Sequence, residues 1–233
     1  MSDLNSYGFG QTRPISTPQI RNRVLRNTYA LLSLSMVPTV LGAWLGVAFG
    51  LNLMGESPFM GFVIFMAVAF GFFWAIEKNK ETGIGVLLLL GFTFFMGIMM
   101  SRLVGFTLNR YSNGATLIML AFGGTAAIFA VMATIASVSK TNFTGMGKWL
   151  MVGVLLIIVA SVANIWLQVP ALMLTIMVLA IGIFSAFILV DVQRVINGGE
   201  TNYIMATLSI YLSVYNIFTN LLALLGIFGG DRD

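Results

Sequence analysis

One carboxylate and two stripes of hydroxyls and amides are the groups in this chain best placed to do chemistry. Asp191 directly follows an unbroken apolar run, and Arg194 stands three residues on, on the same helical face. An ionisable group at membrane depth is a functional candidate by default, because it can relay a proton or hold a cation. A local ion pair with Arg194 is the structural alternative. Ser209, Ser213, Asn216 and Asn220 recur at steps of four, three and four, so they share one helix face, with Tyr211 and Tyr215 on the next. Ser161, Asn164 and Gln168 form a second stripe of the same kind. Amides in hydrocarbon are costly unless paired, so both stripes are expected to point inward. There they either bond between helices or line a polar cavity. Asp191, Ser213 and Asn216 are the candidates for ion- or proton-linked chemistry; Ser161, Asn164, Gln168, Ser209 and Asn220 are expected to complete the polar interior.

The inventory rules out much else. The chain has no Cys and no His, which removes disulfides, thiol nucleophiles, Cys/His metal sites and imidazole catalysis. With Asp191 the only carboxylate near the apolar interior, neither a carboxylate pair nor a nucleophile with its base can be assembled. The expectation is therefore a protein that is not an enzyme, with no metal and no cofactor. A net charge of +4 could suggest nucleic acid, but the basic residues form no patch, and nucleic acid is not an expected partner.

The elements that must position these groups are seven apolar runs: 28–49, 58–76, 84–100, 115–138, 149–167, 171–190 and 203–228. Each is long enough, at ~1.5 Å per residue, to cross a hydrocarbon core of roughly 30 Å. In lipid the backbone must satisfy itself, so such runs are helices. Apolar residues make up 58% of the 233-residue chain and charged residues 9%, which leaves no room for a separate soluble domain. The fold class expected is an all-α membrane protein of seven spans and the lipid bilayer its first partner. Residues 1–26 are read as a polar, disordered cytoplasmic tail and 27–230 as the transmembrane domain. The tail has no apolar core segment and no small-residue cleavage site, so it is expected to be a tail and not a signal peptide.

Lys and Arg set the orientation. Arg13, Arg21, Arg23, Arg26, Lys78, Lys80, Lys140, Lys148 and Arg194 fall on one side, against Arg102, Arg110 and Arg232 on the other. This places the N-terminus in the cytoplasm and the C-terminus outside, periplasmic in a bacterial inner membrane. Short loops suggest that consecutive helices are antiparallel neighbours. Pro170 opens the sixth helix, Asn197-Gly198-Gly199 ends it, and Thr201 or Asn202 caps the seventh. Gly42, Gly46 and Gly50 recur every fourth residue and suit close helix packing, within the molecule or across a homodimer.

The segment 162–172 (VANIWLQVPAL), the loop 197–204 (NGGETNYI) and the run 209–218 (SIYLSVYNIF) resemble the Bax inhibitor-1 family of seven-helix membrane proteins, and most closely its bacterial YccA-like branch. Gly91 to Gly97 (GFTFFMG) and Gly123-Gly124-Thr125 extend the likeness, which covers everything after about residue 24. The resemblance implies a bundle in which a rather polar seventh helix is enclosed by the other six. It also implies one of two activities. Some members are described as pH-sensitive calcium leaks gated by two aspartates, and the YccA-like branch is associated with modulating FtsH, a membrane-anchored ATP-dependent metalloprotease. Asp191 matches the family's acidic position on the sixth helix, and the motif loop is Asn197, Gly198, Gly199 and Glu200. The second aspartate's position falls at Ser213, and the family's Gly-Pro after the third-helix motif falls at Ser101-Arg102. A proton-sharing dyad needs two carboxyls. The resemblance therefore favours the FtsH protease complex as partner and leaves calcium the weaker expectation.

Overall fold

The computed structural model describes residues 18–51 and 58–231. Its helices are α1 (Pro18–Ala48), α2 (Pro58–Asn79), α3 (Gly83–Arg110), α4 (Gly114–Val138), α5 (Gly147–Leu167), α6 (Pro170–Ile196) and α7 (Tyr203–Gly229), with a 3-10 turn at Thr144–Met146 leading into α5. All seven are long and apolar enough to cross a membrane. The four tryptophans mark the slab from outside. Trp44 and Trp166 lie near one end of the bundle, Trp74 and Trp149 near the other, and each is at least 64% exposed. Such rings settle at headgroup level. Trp149 and Trp166 bracket α5 with seventeen residue steps, or ~26 Å by helix rise, about the thickness of a hydrocarbon core.

α1 begins at Pro18, so residues 18–26 are the first turns of a helix rather than part of a disordered tail. The cause is tertiary. Val24 is buried against Val195 and Ala206, and Arg21 Nη1 donates to the carbonyl of Ile196 at 3.2 Å. Residues 1–17, the remainder of the expected tail, lie outside the described residues.

The expectation that consecutive helices are neighbours fails at two places. α1 packs most extensively on α3, its parallel neighbour, and makes no substantial contact with α2; α4 packs on α6 and α7 rather than α5. Glycine explains the first. A Cβ at Gly97 would strike the backbone carbonyl of Thr39, and one at Gly42 would strike that of Phe94. Bare backbones therefore meet at the α1–α3 crossing, the closest approach a helix pair can make. Gly46 faces Ser101 on α3 as well, so this stripe serves packing within the molecule; Gly50 instead takes a left-handed φ of 60° just past the end of α1.

α7 occupies the centre, with α1, α3, α4 and α6 packed around it. α2 and α5 lie outside this ring, α2 against α3 and α5 against α6. The seventh helix is thus enclosed by four helices directly, and the other two form an outer layer.

The loop between α6 and α7 folds as its residues dictate. Gly198 adopts φ 73°, its N–H bonds to Val195 O at 3.1 Å, and Gly199 N–H reaches Arg194 O at 2.8 Å. Those two bonds close the glycine-terminated helix end expected of this sequence. Asn202 then caps α7, its Oδ1 accepting from the N–H groups of Ile204 and Met205 at 2.9 and 3.0 Å. Its Nδ2 donates to the carbonyl of Lys80 at 2.8 Å, which ties the α2–α3 loop to the α6–α7 loop. Asn202→Ala removes a cap and that tie together, and is expected to cost about 2 kcal/mol, the upper range for a lost N-cap. Denaturant unfolding of the purified protein would measure it; a change near zero would mean that the loop is held by other contacts.

Candidate functional site

The last two turns of α6 gather the polar groups of the face on which α1 begins. Asp191 is 7% exposed, and among the described residues it is the only buried acid. Its Oδ1 lies 3.8 Å from Arg194 Nη1, an ion-pair distance rather than a hydrogen bond. The Arg194 side chain is 42% exposed, so water shares in neutralising the pair. Next to them, Gln193 reaches across to the α4–α5 loop. Its Nε2 donates to Thr141 O at 2.7 Å and its Oε1 accepts from Phe143 N–H. Glu200 turns back to accept from Asn202 N–H at 2.8 Å. With Arg21 on Ile196, the end of α6 becomes the anchor for α1 and for both neighbouring loops. At the rim of the same face Lys80 donates to Glu77, and that bond holds the Lys80 ammonium above its ordinary range.

The α7 stripe is placed as expected in one respect. Ser213 is buried and Ser209, Asn216 and Asn220 are partly buried, all inside the bundle. The hydrogen bonds of Ser213, Asn216 and Asn220 differ from expectation, because these three donors turn to their own helix. Ser213 Oγ donates to Ser209 O at 3.3 Å, Asn216 Nδ2 to Leu212 O at 2.8 Å and Asn220 Nδ2 to Asn216 O at 2.8 Å. Short polar side chains in a helix find the preceding turn's carbonyl nearer than any neighbour. By helix rise alone Ser213 lies roughly 7 Å deeper than Asp191, and no bond joins the two. The arrangement offers a cation one buried carboxylate: no group of three acidic side chains gathers at one point among the described residues.

The α5 stripe is a correction. Ser161 and Gln168 are exposed and Asn164 is only partly buried, because α5 belongs to the outer layer and its polar residues cluster at its end. There they finish the helix. Gln168 takes φ 50°, and Asn164 Oδ1 accepts from Val169 N–H at 3.0 Å.

Sequence reasoning missed the hydrogen bonds that do cross the interior. Thr39 Oγ1 and Tyr211 Oη are 2.8 Å apart, and both approach the carbonyl of Thr93, at 3.2 and 3.4 Å. This junction pins α1, α3 and α7 together at mid-bundle. Thr207 Oγ1 makes a second link, to Thr28 O at 3.3 Å. A single Thr inside an apolar run carries no periodic signal, and only the close α1–α3 crossing brings Thr39 to Tyr211.

Seven spans, one of them a polar helix at the centre, with one buried aspartate at a loop junction among the described residues, define a multi-pass α-helical membrane protein. Residues 21–230 match the family model described as inhibitor of apoptosis-promoting Bax1, and the chain belongs to the Bax inhibitor-1 family. It is 36% identical to the Escherichia coli K12 protein named modulator of FtsH protease YccA, over 99% of this chain and 100% of the relative. A protein of another E. coli strain, matched to the same extent, is named inner membrane protein YccA. An uncharacterized protein of Neisseria meningitidis serogroup B is 37% identical over 91% of this chain and 93% of its own length. This chain is accordingly a YccA-like, multi-pass inner-membrane protein.

Proposed function

We propose that this protein is a non-enzymatic modulator of an FtsH-type membrane protease, acting through contacts between proteins in membrane-protein quality control. The observation that carries the reading is the likeness to the E. coli modulator of FtsH protease over the whole of both chains. The site is in keeping with it. Ser213 supplies no second carboxylate, and Asp191 has Arg194 as its counter-charge. The test is gentle pull-down from native membranes: the protease complex should co-purify with the tagged full chain, and its absence would remove the reading.

The proposed orientation puts the N-terminus and the Asp191 face in the cytoplasm, on the nine-to-three distribution of basic residues. A reporter active only outside the cytoplasm should be active after Asp233 and silent near Lys78. The reverse pattern would move the Asp191 face to the periplasm.

A pH-gated calcium leak is the second reading, favoured by the burial of Asp191 inside a span. It makes the opposite forecast for one variant. On the modulator reading Asp191→Asn leaves vesicle calcium flux at background and costs no more than about 1 kcal/mol, as for partly exposed pairs. A strong flux from the natural chain that Asp191→Asn abolishes would promote the leak.

A further inference from the structure

The bundle is open along one side. α1 and α4 both pack on α7 and meet each other at the edge-on rings of Tyr29 and Phe129, 5.8 Å between centroids; beside that contact a cavity of about 310 Å³ lies between them. Met36 and Val40 of α1 face Phe122 and Phe129 of α4 across it, and Val214 and Phe218 of α7 form its floor. Val40 and Phe122, at the rim, are 64% and 60% exposed, so the mouth points sideways, toward what surrounds the spans.

Water does not suit this space. A buried water needs two to four polar partners. The hydroxyls of Thr39 and Tyr211 are bonded to each other, Ser33 donates to Tyr29 O at 2.9 Å, and Thr125 donates to Ala121 O at 2.7 Å. Tyr215 brings a hydroxyl that makes no hydrogen bond among the described residues, but the donors of the other four are already used and the rest of the lining is apolar. A transmembrane helix does not suit it either. The floor from Tyr211 to Phe218 runs only ~10 Å by helix rise, whereas a transmembrane helix would need a seat along most of the roughly 30 Å hydrocarbon core. A slender hydrocarbon chain suits so short and apolar a slot, and the mouth opens at membrane depth, where such chains are the solvent.

We propose that this groove binds a single acyl chain of a membrane lipid, which enters sideways between α1 and α4 and lies along α7. The chain would rest beside the Thr39–Tyr211 junction, so its presence supports the contact that joins α1, α3 and α7.

The natural chain has no cysteine, which makes the experiment clean. The full chain is placed in phosphatidylethanolamine–phosphatidylglycerol vesicles containing a phospholipid with a diazirine within one acyl chain. After irradiation the labelled peptides are mapped. Any lipid-facing residue, such as Leu155 on α5, acts as a positive control. The expected result is additional labelling of the floor at Val214 and Phe218. That floor labelling should be lost in Ala126→Trp, which plugs the groove from α4, and kept in Ala127→Trp, one residue away on the same helix. Val40→Trp plugs the groove from the opposite wall and decides the matter should Ala126→Trp fail to insert. A floor left unlabelled while Leu155 is labelled would overturn the proposal, as would floor labelling that survives both plugs. Reaction of a Val214→Cys variant with a membrane-impermeant thiosulfonate would overturn it too, by showing a water-filled cavity.

Discussion

Gly97→Ile should collapse the α1–α3 half of the bundle and cost upwards of about 3 kcal/mol, the top of the range for overpacking. The reason lies in what a side chain at that position meets. The nearest atoms to a Cβ there are the carbonyl oxygen and carbon of Thr39 and the amide nitrogen of Ala43, all backbone of α1. A flexible side chain could turn aside, but a helix backbone can give way only as a whole, and moving α1 would also pull Thr39 from Tyr211 and Thr93. In lipid there is no compensating drive to press the helices together again, because the hydrocarbon outside is as apolar as the side chains within. Thermal unfolding in detergent, followed by helix signal and by size-exclusion profile, would show the loss. Gly71→Ala is the control: nothing lies within 4 Å of its Cβ, so its stability should match the natural chain or slightly exceed it. Equal behaviour of the two variants would mean that the crossing is not where the bundle is tight.

Tyr211 gives the second large effect, and two substitutions separate its causes. The residue is 1% exposed and its ring lies edge-on to Phe92 at 6.3 Å, beside Tyr215 at 6.2 Å. Tyr211→Ala empties the centre of the bundle and should cost about 3–5 kcal/mol, as large aromatic deletions do. Tyr211→Phe keeps the ring and removes only the hydroxyl. Thr39 still donates to Ser35 O at 2.8 Å, so no donor is left stranded, and the cost should be about 0.6 kcal/mol, typical of one hydrogen bond between membrane helices. Reversible unfolding of both variants would measure the two values. A Phe variant as damaged as the Ala variant would make the hydroxyl, and not the ring, the thing that holds the centre.

The spans were legible because hydrocarbon imposes a length and a composition that little else imitates. Their ends were less so. The apolar runs predict helices starting at residue 28 and stopping at 100 and 190, whereas α1 starts at Pro18, α3 runs to Arg110 and α6 to Ile196. An apolar run marks the part of a helix in lipid, while backbone hydrogen bonding continues through the polar turns beyond. The loop chemistry of Gly198 and Asn202 was readable because both act locally. The central position of α7 followed from its polar stripe. The neighbours of α1 did not, since nothing in Gly42 or Gly97 alone says that one meets the other's helix. The α5 stripe misled for a related reason: hydroxyls and amides at helical spacing look alike whether they face an interior or close a helix end.

The order in which the helices leave the ribosome does not match the order in which they find their partners. α1 is complete at Ala48, but the helix it grips, α3, is finished roughly sixty residues later, an interval of several seconds at ~5–20 residues per second. The shared central support, α7, is the last of the seven spans to be made. Until then α1 can pair with α3 and α4 with α6, but the faces these helices turn to α7 have nothing to close on, and a nascent chain stopped before Tyr203 is a ring without a hub. Closure of the bundle therefore waits for its seventh span, and the window before it is when membrane surveillance machinery would meet this chain in its most vulnerable form.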